Sequence, residues 1–464
     1  MSEQHRREPW IPPAARTGLI VAGTALLASA AYLLAPAGMD ELSRRMVAIF
    51  IVAAVFWATE VIPLYATSLA VIGLQVLLLA EYGGLAGAGD LEFIEFFEPF
   101  ASSVIILFLG GFLLARAVTR HRIDAAIAGR LLRPVAHRPV LLIFTIMGLT
   151  AFFSMWMSNT ATTAMMIAIV TPLLIRLPDD ARFARAIILA VPLGANIGGL
   201  GTPIGTPPNA VAMAALRRAG YDITFVDWMM LAVPLEIALL LIAGGLLIVF
   251  YRPDRSLDLS ELGTPEPITR RGKVTLAILA MAIVLWLTSH WHGIADAVIA
   301  LLAAASLTAL SILDRHDVDG IDWNILILMW GGLSLGHGMQ VTGLVDFVVD
   351  LPVFDVGGFM LGAVIVILAV GLSTFMSNTA AANLIIPMAM ALSAAQGGRL
   401  AVLTALACSL AMALPVSTPP NAIAFSTGRL PAASLLRVGG IITLIAMIAL
   451  LLGYQIMIPL VLDL

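Results

Sequence analysis

Long apolar runs separated by short polar stretches dominate the chain. Runs near 17–36, 46–62, 65–80, 103–119, 229–251, 273–289, 293–313, 324–342 and 436–462 each read as a membrane-spanning helix, since crossing a hydrocarbon core of about 30 Å takes roughly 20 consecutive apolar residues. The apolar stretches are continuous and do not alternate every second residue, which argues against a porin-like barrel. Two further stretches, 139–214 and 356–427, are apolar but irregular. Together the segments predict an all-α polytopic membrane protein of about eleven transmembrane helices. Residues 1–16 form a polar, basic tail, and the apolar run after it reads as an uncleaved first helix although Ala28-Ser29-Ala30 resembles a signal-peptidase site.

Charge sets the orientation. With the N-terminus inside, 20 of the 25 lysines and arginines fall on the inner side, and only Arg44, Arg45, Arg217, Arg218 and Arg399 fall outside. Positively charged loops are retained on the cytoplasmic face, so the expectation is a cytoplasmic N-terminus in a bacterial inner membrane. Composition agrees: of 464 residues, 60% are hydrophobic and 12% charged, whereas soluble domains have about 45–50% and about 25%. Mean hydropathy is +1.01. A net charge of −4 suggests no nucleic-acid partner, and Cys408 stands alone, so no intrachain disulfide can form.

Three landmarks occur twice in the same order. They are a glycine pair (Gly110-Gly111, Gly331-Gly332), Ser-Asn-Thr (158–160, 377–379) and Thr-Pro-Pro-Asn (206–209, 418–421). Glycine pair to Ser-Asn-Thr is 48 residues and then 46, and Ser-Asn-Thr to Thr-Pro-Pro-Asn is 48 and then 41. Such agreement points to an internal duplication. The five crossings expected between the two glycine-pair helices make an odd number, so the halves enter the membrane in opposite senses. Inverted repeats of this kind mark secondary transporters, with the site near the midplane where the repeats meet. The expected organisation is a cytoplasmic tail 1–16, a first transmembrane part 17–251, a cytoplasmic linker 252–272 and a second repeat 273–464.

Each repeat holds two unusual segments. Residues 139–175 and 356–398 contain no Asp, Glu, Lys, Arg or His. As one helix the first would be about 55 Å long, too long for one crossing, and a re-entrant helical hairpin with Ser-Asn-Thr at its tip fits best. Irregular backbone at membrane depth is tolerated where it is buried in protein or lines a watery cavity. Segments 186–214 and 401–427 carry Pro203, Pro207 and Pro208, and Pro415, Pro419 and Pro420, and read as broken helices because proline removes an amide donor and blocks the preceding turn. Helix ends at such breaks offer amide donors on one side and free carbonyls on the other. Amides and positive dipole ends favour anions, while carbonyl, Ser, Thr and Asn oxygens favour a hard cation such as sodium. No arginine or lysine stands in the two hairpins or at the two breaks to neutralise a dianion, and no ionisable group there could couple transport to protons. Small-residue and Gly/Pro motifs also serve helix packing, the plainer reading of any one motif alone.

These residues resemble the divalent-anion:sodium symporter family, the group that includes INDY-type bacterial dicarboxylate transporters. The resemblance spans essentially the whole chain, including 409–424, where Met412 and Ala424 depart conservatively from the family's late signature. It implies that substrate carboxylates meet Ser158, Asn159, Thr160, Ser377, Asn378 and Thr379, with Thr206, Pro207, Thr418 and Pro419 beside them. It implies one sodium site of Ser154, Ser158, Asn159 and the Gly205 carbonyl, and a mirror site of Ser373, Ser377, Asn378 and the Ser417 carbonyl. The i, i+4 spacing of Ser154 to Ser158 and of Ser373 to Ser377 places each pair on one helix face. The resemblance further implies a homodimer that moves a transport domain against a scaffold, elevator fashion. The scaffold would be the spans before 120 and from 273 to 342, with 121–134 as a surface arm. The expected activity is sodium-coupled uptake of a C4-dicarboxylate such as succinate, fumarate or malate, with no organic cofactor. The alternatives are a sodium-independent dicarboxylate exchanger, or a sulfate, tricarboxylate or other anion permease of the same fold. Neither a His-Glu-x-x-His motif, a Gly-x-Ser-x-Gly turn nor a Thr-Val-Gly-Tyr-Gly filter is present, which argues against an enzyme or a channel. Glu60, His337, Asp296 and Asp346 are the remaining polar candidates, and helix-end or packing roles are expected for them.

Overall fold

The computed structural model describes residues 13–36, 38–81, 91–135, 137–175, 177–178, 182–251, 267–349, 358–392 and 396–461. Most of the expected tail and linker, and residues 356–357 and 393–395 of the expected second hairpin, lie outside these. The first half runs through α1 (Pro13–Leu33), α2 (Glu41–Thr59), α3 (Leu64–Leu79), α4 (Ser103–Arg120), α5 (Ile123–Leu132), α6 (Pro139–Ser154), α7 (Asn159–Ile175), α8 (Arg182–Gly198), α9 (Pro207–Arg218) and α10 (Phe225–Phe250). The second continues with α11 (Arg270–Leu287), α12 (Ser289–His292), α13 (Asp296–Ala309), α14 (Arg315–Asp319), α15 (Trp323–Val341), α16 (Leu344–Val349), α17 (Gly358–Phe375), α18 (Asn378–Ala391), α19 (Gly397–Cys408), α20 (Pro419–Ser426) and α21 (Ala432–Val461). Among the described residues the only β feature is an isolated bridge between Ala80 and Leu91. By length and composition α1, α2, α4, α10, α17 and α21 can each cross a membrane, whereas α3, α6, α7, α13 and α19 are apolar but shorter. The short helices fall largely where the irregular stretches were read from sequence.

Local chemistry explains where these helices begin. Prolines open α6, α9 and α20, where a missing amide loses nothing and a fixed φ is already helical. Thr224 and Asp227 form a reciprocal capping box at the start of α10, which satisfies two otherwise orphaned donors. Glu60 ends α2 in the left-handed conformation at φ 48° and is exposed, so it caps a helix and does not enter the core.

Packing pairs the helices alike in the two halves. The glycine-pair helix α4 lies on α13, and its counterpart α15 lies on α3. A methyl group at Gly110 would come within 2.6 Å of the Ala300 backbone, and one at Gly331 would overlap Ser68, so these glycines permit the close approach that small residues give membrane helices. Buried polar ties join α3 to α15: Gln75 Nε2 donates to Ser334 O at 2.9 Å, and Ser334 Oγ donates to Gln75 Oε1 at 2.8 Å. Likewise α6 packs on α8 and α17 on α19, while α7 meets α20 and α18 meets α9. Each hairpin therefore rests against the broken segment of its own half and the short helix of the other.

Candidate functional site

Both charge-free stretches form helical hairpins. The chain reverses at 155–158 between α6 and α7, and at 376–377 between α17 and α18, so Ser-Asn-Thr occupies the tip in each. Ser158 Oγ accepts from Ala161 N at 3.3 Å and Ser377 Oγ from Ala380 N at 3.1 Å, an N-cap geometry at the start of α7 and of α18. Thr160 is exposed, Thr379 is buried, and the serines and asparagines of both tips are half-buried.

Inside each tip two acceptor oxygens converge on one hydroxyl. Ser154 Oγ lies 2.6 Å from Asn159 Oδ1 and 2.8 Å from Ala195 O. Ser373 Oγ lies 2.6 Å from Asn378 Oδ1 and also contacts Cys408 O. A serine has one proton to donate, so each cluster has one acceptor more than it has donors. Both serines are fully buried. The carbonyls that reach them are those of Ala195 and Cys408, which sequence reasoning did not name. At the two expected closing positions, the Gly205 amide donates to Thr202 O at 3.2 Å and Ser417 Oγ donates to Thr374 O at 3.3 Å.

The breaks are held by the asparagines of Thr-Pro-Pro-Asn. Asn209 Nδ2 reaches the carbonyls of Gly199, Leu200 and Thr202 at 3.0, 3.2 and 2.8 Å. Asn421 Nδ2 reaches those of Met412 and Leu414 at 3.0 and 2.9 Å. Each side chain thus satisfies carbonyls that the interruption of the helix leaves without intrahelical donors. Asn421 Oδ1 also accepts from Asn196 Nδ2 at 3.1 Å, joining the two breaks. A methyl group at Gly199 would come within 2.7 Å of Asn159 Oδ1, so the first break lies directly against the first tip.

One expectation changes here. The starts of α9 and α20 offer few free amides, because their first two residues are prolines and Asn209 N donates to Thr206 O at 3.2 Å. Thr206 and Thr418 are buried at these helix starts, and Thr418 Oγ1 accepts from Asn421 N at 3.3 Å. Pro207 and Pro419 are the first residues of α9 and α20. The amides without an intrahelical partner are those opening α7 and α18, by helix geometry. The free amide donors therefore lie at the hairpin tips more than at the breaks.

A family model described as citrate transporter matches residues 54–411 and, separately, 291–462. The chain belongs to the citrate-transporter family. The resemblance to divalent-anion:sodium symporters drawn from the motifs is borne out. A relative from Staphylococcus saprophyticus, named sodium-dependent dicarboxylate transporter SdcS, is 30% identical over 490 aligned positions, covering 96% of this chain and 92% of its own. An uncharacterized transporter of Haemophilus influenzae is 29% identical over 426 positions, covering 87% and 89%. Among solved structures, Neisseria gonorrhoeae MtrF, described in connection with antimetabolite efflux pumps, aligns over 97% of this chain and 95% of its own with a TM-score of 0.54 and 11% identity. That likeness concerns fold alone. This citrate-transporter family member is a multi-pass membrane transporter and not an enzyme.

Two of the other polar candidates have partners. His337 Nε2 lies 3.2 Å from Glu95 Oε2. Asp296 accepts from Arg217 Nη2 at 2.7 Å and from Phe225 N at 3.1 Å. Asp346 falls in the first turn of α16. Asn196, Thr202 and Glu236 are buried beside the tips and breaks and were missed from sequence. For Glu236 the signal was present, a lone carboxylate in mid-span.

Proposed function

We propose that this transporter carries C4-dicarboxylates such as succinate, fumarate or malate into the cell together with sodium. The observation that carries the reading is the pair of oxygen clusters at Ser154 and Ser373, each with more acceptors than protons. A hard cation prefers such neutral oxygen donors and relieves the repulsion between their lone pairs. The names of the staphylococcal relatives, sodium-dependent dicarboxylate transporters, supply the ion and the substrate class.

In this reading Ser154, Ser158 and Asn159 hold one sodium and Ser373, Ser377 and Asn378 the other, with Ala195 and Cys408 contributing carbonyls and Gly205 and Ser417 closing the sites. The dianion lies against Ser158-Asn159-Thr160 and Ser377-Asn378-Thr379, flanked by Thr206, Pro207, Thr418 and Pro419. The like pairing of helices in the two halves supports inverted repeats, the first within 17–251 and the second within 273–464. Hairpins 139–175 and 356–398 with segments 181–251 and 398–464 are the mobile body, and the spans before 120 and from 273 to 342 the scaffold of a homodimer. The N-terminus faces the cytoplasm, as the arginine distribution favours.

Radiolabelled succinate uptake into proteoliposomes, with and without an inward sodium gradient, tests this. Uptake should rise with the gradient, and Asn159→Ala and Asn378→Ala should each abolish it while the protein remains folded. Uptake indifferent to sodium but driven by internal dicarboxylate would leave exchange in its place.

A further inference from the structure

We infer that Glu236 is a proton-binding site built into the first repeat alone. Glu236 lies eleven residues into α10, and Thr443 lies eleven residues into α21, which follows the second break as α10 follows the first. In the second repeat the threonine is fully used: its hydroxyl donates to Leu410 O at 2.7 Å and accepts from Met412 N at 3.3 Å. In the first repeat the carboxyl is only 4% exposed, and Oε2 has no hydrogen-bond partner. It is aimed at the break, where a methyl group at Gly201 would overlap Oε2. Gly201 stands one residue beyond Leu200, whose carbonyl also receives Trp228 Nε1 at 3.1 Å.

A carboxylate in this place would be an unpaired charge at membrane depth. No opposite charge faces it from the helices packed most heavily on α10, namely α21, α8, α6 and α11. Arg437 of α21 is exposed and stacks on Phe250 at the far end of α10, 5.8 Å from the ring centroid. Arg182 of α8 is exposed and Arg185 half-buried, both in the first turn, with Gly198 at the other end of the helix. On α11 the basic residues Arg270, Arg271 and Lys273 are exposed, and α6 carries no titratable group. On α10 itself, Asp227 is nine residues away, about 14 Å along the helix, and is engaged by Thr224 Oγ1 at 2.6 Å and His290 Nε2 at 3.2 Å. The segment between α8 and α9 has none. Without a counter-charge, and with Oε2 buried and unpartnered, the carboxyl group favours the neutral acid. Ionisation would place a charge against the backbone that shapes the first break, while the second break, with Thr443, has no such response.

Infrared difference spectroscopy of the reconstituted protein, wild type minus Glu236→Gln, tests this without any substrate. The expected result at neutral pH is the C=O stretch of a protonated carboxylic acid, present in the wild type, absent from the variant and fading as pH rises. A carboxylate signal at neutral pH, or no pH-dependent band, overturns the proposal. Titrating the band in the wild type alone preserves the test if the variant does not fold. A second arm rests on the dicarboxylate reading. Fumarate uptake from about pH 6 to about pH 9, where the substrate stays a dianion and imidazole alone among ordinary side chains titrates at the lower end, should fall with rising pH in the wild type and remain flat in Glu236→Gln. An identical pH profile in both proteins would overturn it. If neither protein transports fumarate at any pH, the substrate assignment has failed, and the infrared result alone decides the proton site.

Discussion

Asn421→Ala is the sharpest test of how the second break is held. The wild-type carboxamide is fully buried and makes three hydrogen bonds, donating to Met412 O and Leu414 O at 3.0 and 2.9 Å and accepting from Asn196 Nδ2 at 3.1 Å. Alanine removes all three and leaves two carbonyls and one amide without these partners. Hydrogen bonds between membrane helices are worth about 0.6 to 1.7 kcal/mol each, so three amount to about 2 to 5 kcal/mol. The reporter is already in the chain. Cys408 is the only cysteine, is buried, and ends the helix that leads into this break. A thiol-reactive dye therefore reads opening of that region directly. When opening and closing are fast relative to labelling, the rate follows the open population, and a loss of about 2 kcal/mol raises it roughly 30-fold. Labelling within about twofold of wild type, at a rate independent of temperature below unfolding, would refute the argument that the carboxamide holds the second break through the carbonyls of Met412 and Leu414.

Ser154→Ala and Ser373→Ala should each raise the sodium concentration needed for half-maximal uptake, by similar factors because their clusters match; an unchanged sodium requirement in both would remove the cation reading. Gly110→Val should separate α4 from α13, since even a methyl group there meets Ala300 backbone at 2.6 Å; a loss of about 1 to 3 kcal/mol is expected in thermal unfolding, with a normal unfolding midpoint counting against it. Asp296→Asn breaks the Arg217 ion pair, which joins α9 to α13 at 2.7 Å with Asp296 only 4% exposed. Arg217 is half-buried and keeps its bonds to Ile223 O, so loss of its charged acceptor costs about 1 to 3 kcal/mol. If the pair spans the moving boundary, as the proposed domains require, the variant also shifts the balance of transport conformations, measurable as altered cross-linking between cysteines placed in α9 and α13.

The parts that were legible from sequence are those encoded locally. Charge-free length gave both hairpins, and the helices α6 with α7 and α17 with α18 reverse where Ser-Asn-Thr stands. Proline pairs marked the starts of α9 and α20. What was not legible are contacts made by the fold over long separations. Nothing local in Ala195 or Cys408 announces that its carbonyl meets Ser154 or Ser373, because any residue has a carbonyl and only the approach of α8 to α6 and of α19 to α17 selects these two. Asn196 likewise gains its meaning from Asn421, 225 residues away. The prolines were read as leaving free amides at the breaks, yet the two asparagines of the same motifs occupy the local backbone carbonyls, and the free donors lie at the hairpin tips.

The scarcity of charge then becomes a statement about coupling. Among the described residues of the two hairpins and breaks no ionisable side chain is present, so a dianion there gains only partial charges from amides and hydroxyls. A sodium ion and a carboxylate about 4 Å apart at an effective dielectric constant of about 20 attract by about 4 kcal/mol, nearly three orders of magnitude in affinity. In the proposed sodium-coupled site, binding of each would therefore depend steeply on the other, and by linkage the dependence would be reciprocal. A fixed arginine would bind the dianion at any sodium concentration and would hold it after the ion had left. A site that borrows its positive charge releases the substrate when the cation departs, which is the property a transporter driven by an ion gradient needs.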